Sequence, residues 1–320
     1  MQGRQDHAPV HRGNSVSKRE TKNLAASIHG RLLNKAKEEG RPFNELLQYF
    51  AMERFLYRLS KSTHAREFVL KGALMVLSWE GPLSRPTSDI DVLAMTKNDL
   101  ANIVSIVEDV CAAQVVPDGI EFDAQSVRAE TITDIAEYPG VRARILAHLG
   151  SARVIVQLDI GFGDPVVPGP KAFDYPVLLD LPAPHLKGYS RESVISEKLE
   201  SIARFGMLNS RLKDYYDIWL LASQFDFDGE ILAAAIEATF SNRQRAIDAT
   251  LGRQIMTYAD DKTRAARWTA FCKKNKLTPG PPGLVETAAL IVRFIEPVIT
   301  AISSGERFAG RWRSAGPWEQ

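Results

Sequence analysis

Between residues 68 and 93 the chain reads FVLKGALMVLSWEGPLSRPTSDIDVL. An apolar run meets Lys71 and Gly72, and a helix-like segment follows from Ala73 to Trp79. A loop holding Pro82, Arg85 and Pro86 then leads to Asp89-Ile90-Asp91, inside a second apolar run. Side chains alternate faces along a strand, so Asp89 and Asp91 point the same way. Adjacent carboxylates repel unless a cation sits between them, and Mg²⁺ favours carboxylates together with phosphate oxygens. The competing reading of an isolated Asp-x-Asp is a solvated strand end or turn. Gly72 stands where the first run turns into a helix, and backbone N–H groups at a helix start hold phosphate. Lys71 adds a point charge there, or is an exposed strand-end lysine. The glycine-rich loop of P-loop NTPases is excluded, because its G-x-x-x-x-G-K-[ST] spacing is missing.

Composition narrows the setting. With 320 residues, 45% hydrophobic and 25% charged, the chain suits one large or two modest globular domains. A net charge of +1 makes no global electrostatic case for nucleic acid and leaves room only for a local basic face. Cys111 and Cys272 are too few for a disulfide framework or a zinc site, and suit a reducing cytoplasm. No apolar run approaches the roughly 18 residues of a membrane span, and the N-terminus lacks a signal-peptide core. The expectation is a cytoplasmic protein.

Residues 1–20 are polar and aperiodic and read as a disordered arm. Leu24, Ile28, Leu32 and Leu33 recur at helical spacing until Gly40 and Pro42. A second helix carries Phe43, Leu46, Leu47, Phe50, Phe55, Leu56 and Leu59, with Arg54, Arg58 and Lys61 as a basic edge or a solvated face. Lys97 to Cys111 reads as an amphipathic helix, then Gly119–Phe122 and Ser126–Ala129 as two short strand pieces. Residues 140–149 and 153–161 flank a turn at Gly150-Ser151 and read as a hairpin, with Arg142 and Arg144 sharing one face. Asp159 closes the second arm of that hairpin. A carboxylate at the end of a buried strand needs a partner: it caps the Gly161–Gly163 turn or joins the Asp-x-Asp pair as a third acid. Asp164 is the alternative third acid, although Asp-Pro is turn chemistry. The Pro-rich run 164–190 reads as an irregular connection, so the chain divides into an arm (1–20), a core domain (21–180), a helical domain (181–305) and a tail (306–320).

Ser190 is an N-cap candidate for a helix that carries Glu197 and Lys198. Lys198 either lies on a solvated face, paired at helical spacing, or reaches into a site. Asp214 and Asp217, three residues apart, neighbour each other on a further helix, with Arg211 and Lys213 just upstream. Helices follow over 231–240, 265–274 and 285–302. Lys273, Lys274 and Lys276 form a basic cluster, and the tail with Arg311, Trp312, Arg313 and Trp318 either stacks on a partner or folds back on the domain.

FVLKGALMVL followed by RPTSDIDVL resembles the first motif of the AbiEii/AbiGii-type nucleotidyltransferase toxins, a branch of the DNA polymerase β-like nucleotidyltransferase superfamily. Glu197-Lys198 and Lys213-Asp214 with Asp217 resemble the third and fourth motifs, in the same linear order, from about residue 24 to 300. The resemblance implies an α+β fold: a polymerase β-like core with a small mixed sheet and helices, followed by a mainly helical C-terminal domain. It implies transfer of a nucleoside monophosphate from an NTP to an acceptor hydroxyl, with the tRNA 3′ end the expected acceptor and a cognate antitoxin as partner. Asp89, Asp91 and Asp159 are the implied ligands of two Mg²⁺ ions and, with Lys198 and Asp214, the implied catalytic set. Lys71, Gly72, Ala73, Ser88, Lys198, Lys213 and Asp217 are the implied nucleotide-binding set. Ala73 departs from the family, where many members have Ser at that position. Two other readings stay open: a small molecule or protein as acceptor, and a non-catalytic module that binds nucleotide or a partner.

Overall fold

The computed structural model describes residues 18–80, 86–132, 139–277 and 280–319. The arm read from the sequence lies outside the described residues up to position 17, as does the loop segment 81–85 with Pro82 and Arg85. The N-terminal part runs α1 (Lys18–Glu38), α2 (Phe43–Lys61), β1 (Phe68–Lys71), α3 (Gly72–Glu80), β2 (Asp89–Ala94), α4 (Leu100–Ala112), β3 (Ile120–Ile132), β4 (Gly140–Leu149), β5 (Ala152–Phe162), β6 (Lys171–Asp174) and β7 (His185–Gly188). These strands form one mixed sheet in the order β3-β4-β5-β2-β1-β7-β6. β2 lies antiparallel to β1 and parallel to β5. The strict alternation of β4 follows from its period-two pattern: Val141, Ala143, Ile145, Ala147 and Leu149 are buried, and the residues between them are half-exposed. The buried face joins Ile90, Val92, Leu158 and Ile160 in one core with Phe50 and Phe55 of α2 and Ile103 and Val107 of α4. The opposite face carries Asp89, Asp91, Arg142 and Asp159 and stays open toward the site.

The rest is helical, α5 (Arg191–Phe205), α6 (Leu212–Gln224), α7 (Gly229–Asn242), α8 (Leu251–Ala259), α9 (Lys262–Asn275) and α10 (Leu284–Ser304). The expected α+β class therefore stands. Ser190 caps α5, its Oγ accepting the Ser193 N–H at 3.1 Å. Three short strands, β8 (Phe227–Asp228), β9 (Arg311–Trp312) and β10 (Trp318–Glu319), form a second sheet. The tail is thus folded back: Trp312 is buried, and its indole N–H donates to the Ala222 carbonyl at 2.7 Å.

Several sequence expectations need correction. α4 begins at Leu100, not Lys97, because the Asp99 carboxylate accepts the Ala101 and Asn102 N–H groups and stops the helix there. The two strand pieces after Gly119 are one strand, β3, whose register shifts between Asp123 and Arg128. The Pro-rich run contains β6 and β7, and β7 pairs in parallel with β1, so the sheet continues past residue 180. Arg54 and Arg58 are buried, neither a basic edge nor a solvated face. Arg58 holds both Asp118 oxygens, at 2.7 and 3.0 Å, inside the core. α8 was not anticipated.

Candidate active site

β1 and β2 present Lys71 opposite Asp91, and the parallel pairing of β2 with β5 sets Asp91 beside Asp159. Asp89, Asp91 and Asp159 each offer a carboxylate oxygen within 4.8 Å of the other two. The sequence expectation that these three converge is met by register alone. Gly72 is what lets them sit so deep. Its φ is +67°, and a Cβ built there would lie 2.0 Å from Asp91 Oδ2. Only glycine adopts this backbone easily, and only its missing side chain leaves the carboxylate a seat.

The charges around the triad are shared out unevenly. Asp91 is pushed up to about 6, first by burial and then by Asp89 and Asp159, against the pull of Lys71 and Lys213. Asp89 accepts a hydrogen bond from Thr87 Oγ1 at 2.6 Å. Asp159 is clasped by Arg142, whose Nε and Nη2 donate to its two oxygens at 2.7 and 2.6 Å. Lys71 donates to Asp164 at 2.9 Å and to Glu197 at 3.0 Å. Burial works against its charge, yet Glu197, Tyr189 and Asp164 hold its pKa well above the ordinary lysine value. Asp164, the alternative third acid, is therefore committed to Lys71 and to Arg243, which it meets at 3.2 Å.

α5 and α6 lay a second charged group across the site. Lys198 lies 2.6 Å from Asp217 and 3.5 Å from Asp214. Ser201 Oγ donates to Asp214 at 3.1 Å. The bland reading of Lys198 as a solvated lysine does not hold. A cleft of about 230 Å³ opens between the sheet and these helices, with Lys71, Gly72, Ala73, Lys198, Lys213 and Asp214 on its walls and Asp89 and Asp91 at its floor. Asp217 is wholly buried behind Lys198, and is not among the residues lining the cleft. Ser88 is exposed and lines an adjoining hollow of about 440 Å³, which shares Thr87, Asp89 and Lys213 with the cleft. Arg142 and Arg211, which the sequence places without a site role, and Arg243, which it does not single out, also meet the site's carboxylates. Arg142 was within reach of the sequence: in a hairpin turning at Gly150-Ser151, positions 142 and 159 are equidistant from the turn and must face each other.

An all-carboxylate donor set of this spacing suits a hard divalent cation. Beside it lie a helix start and converging cations, as phosphate recognition requires. Among the described residues no helix is long and apolar enough to cross a membrane.

The family profile described as "Nucleotidyl transferase AbiEii toxin, Type IV TA system" matches residues 54–289. No curated protein matches the chain. Among solved structures, the "putative nucleotidyltransferase from H. pylori" is 15% identical, with a TM-score of 0.48, covering 83% of this chain and 99% of its own. JHP933 from Helicobacter pylori is 16% identical, with a TM-score of 0.48, covering 82% and 96%. The match of the family profile spans the first Asp-x-Asp strand, the third acid and both helices that hold Lys198, and the chain belongs to the nucleotidyl transferase AbiEii toxin family of type IV toxin–antitoxin systems.

Proposed function

We propose that this chain transfers a nucleoside monophosphate from an NTP to an acceptor hydroxyl in a Mg²⁺-dependent reaction. The observation that carries the reading is the meeting of Asp89, Asp91 and Asp159 within 4.8 Å, the first two of them lining a cleft that also carries Lys71, Lys198 and Lys213. The acceptor oxygen forms a bond to the α-phosphorus, the α–β phosphoanhydride breaks, the hydroxyl proton passes to solvent and pyrophosphate leaves. A divalent cation pair held there would supply charge stabilisation to the attacking and leaving oxygens. Asp89, Asp91 and Asp159 are the residues that would hold it.

The protein supplies position and charge rather than a nucleophile. The N–H groups at the start of α3 receive phosphate oxygens, which suffices without the hydroxyl that Ala73 lacks. Lys198 reaches the triphosphate while Asp217 and Asp214 hold its ammonium in place. Lys213 faces both the cleft and the adjoining hollow, so it spans the nucleotide and acceptor sides. The tRNA 3′ end is the acceptor we infer from family membership, and a cognate antitoxin the partner.

Incubating the protein with Mg²⁺, each labelled NTP and total tRNA tests this directly. Label transfer should occur with the wild type and vanish with Asp89→Asn. A net charge of +1 favours a second reading, in which the acceptor is a small molecule or a protein. Retention of tRNA in a salt series separates the two, because phosphate contacts weaken as salt rises.

A further inference from the structure

Arg142 spends its charge in an unexpected place. It binds Asp159 through two parallel hydrogen bonds, at 2.7 and 2.6 Å, and Gln157 Nε2 adds a third to Asp159 Oδ1 at 3.2 Å. A carboxylate accepts about four such bonds, so the third acid of the triad is nearly saturated by the protein itself. A dication approaching Asp159 meets a guanidinium already in contact with it.

The sheet offers that guanidinium somewhere else to go. Glu130 on β3 faces Arg142 directly, just as Asp159 on β5 does from the other side. The three form one cross-strand row, Glu130–Arg142–Asp159, on the open face, and opposite positions in antiparallel strands point the same way. Glu130 is exposed, and among the described residues its ion pair is a surface one, with Arg144 at 2.9 Å, of the kind that costs little to rearrange. Arg142 itself stays partly exposed, so its side chain has room to turn.

We propose that Arg142 is an internal counter-cation of the metal site. It clasps Asp159 while the site lacks a divalent ion and turns to Glu130 when one arrives. The inference rests on the metal-dependent reading given above. Its consequence is that the bare protein holds cations weakly at Asp159, and that full occupancy awaits the extra negative charge of a triphosphate. Removing Arg142 leaves Asp159 placed by its strand and by Gln157, so the loss of a repelling charge outweighs the loss of one orienting contact. That contact alone would weaken metal binding about 10–100-fold if orientation dominated, so the two accounts predict opposite signs.

The test is a Mn²⁺ titration followed by electron paramagnetic resonance, without nucleotide, on the full chain. Arg142→Gln should bind Mn²⁺ at least 10-fold tighter than the wild type. Arg153→Gln, at an exposed position near the start of β5, should stay within 3-fold of it. Glu130→Gln should weaken binding in the wild-type background and change nothing when combined with Arg142→Gln. A through-space charge effect would persist in both backgrounds and would overturn the handover. Equal or weaker binding by Arg142→Gln, with wild-type binding that depends on Asp89, overturns the counter-cation alone. Failure of every variant to bind Mn²⁺ in an Asp89-dependent way overturns the metal reading as well. Circular dichroism on each variant confirms that the fold is kept.

Discussion

At the scale of single residues, the site turns on the space above Gly72. A methyl group there would occupy the position of the Asp91 carboxylate, and an L residue at φ +67° adds about 1–2 kcal/mol of backbone strain. Gly72→Ala is expected to leave the far-ultraviolet spectrum unchanged while reducing nucleotidyl transfer at least 100-fold and Mn²⁺ affinity at least 10-fold, as read by single-turnover assay and titration. Asp91 supplies a pH-dependent counterpart. Its pKa, pushed up to about 6 chiefly by burial and then by Asp89 and Asp159, exceeds its unfolded value of 3.8. The folded metal-free protein therefore binds the proton better than the unfolded chain does. Its contribution to stability is complete below about pH 4 and lost as pH rises through 6. Asp91→Asn should thus be more stable than the metal-free wild type by about 3 kcal/mol above pH 7, the difference vanishing below pH 4. Urea unfolding in EDTA at both ends of that window measures it. A pH-independent difference would refute the electrostatic account.

At the scale of elements, α5 and α6 act as one unit through Lys198. Its ammonium lies against Asp217, which is wholly buried, and beside Asp214, which is nearly so. Truncation to Ala takes a buried cation away from two carboxylates, and breaking a buried pair this way typically costs about 3–5 kcal/mol. Lys198→Ala is therefore expected to lower stability as well as activity, whereas Lys198→Ala with Asp217→Asn should regain much of the stability and none of the activity. Thermal unfolding and the labelled-NTP assay separate these outcomes. The same scale shows what a linear reading can reach. The β4–β5 hairpin was legible because alternation and a Gly-Ser turn are local signals, and its register follows from the turn. β7 was not legible, because His185–Gly188 is short and its partner β1 lies more than a hundred residues earlier. The burial of Arg54 and Arg58 was hidden in part for the same reason: besides the neighbouring Glu53, Arg54 meets the Pro182 carbonyl, and Arg58 meets Asp118, from distant segments.

For the whole molecule, the folded-back tail ties the last turn of sequence to the helical region. Trp312 donates to Ala222 on α6, and Trp318 donates to the Phe294 carbonyl on α10 at 2.9 Å. Trp312 packs edge-on to Phe294 with ring centroids 5.0 Å apart. Trp312→Ala should cost about 3–5 kcal/mol, read as a fall in melting temperature of several degrees, with little change in Mn²⁺ affinity, since the tail lies apart from the cleft. The periodicity of the chain already determined most of its helices (α8 apart), the hairpin and the shared face of Asp89 and Asp91, because each depends on neighbours a few positions apart. Arg142 meets Asp159 because the hairpin turn sets them opposite each other. The other pairings were decided only by the tertiary structure: Lys71 meets Asp164 and Glu197, and Lys198 meets Asp217, where separate segments are pressed together out of water. There an unpaired charge is too costly to leave alone.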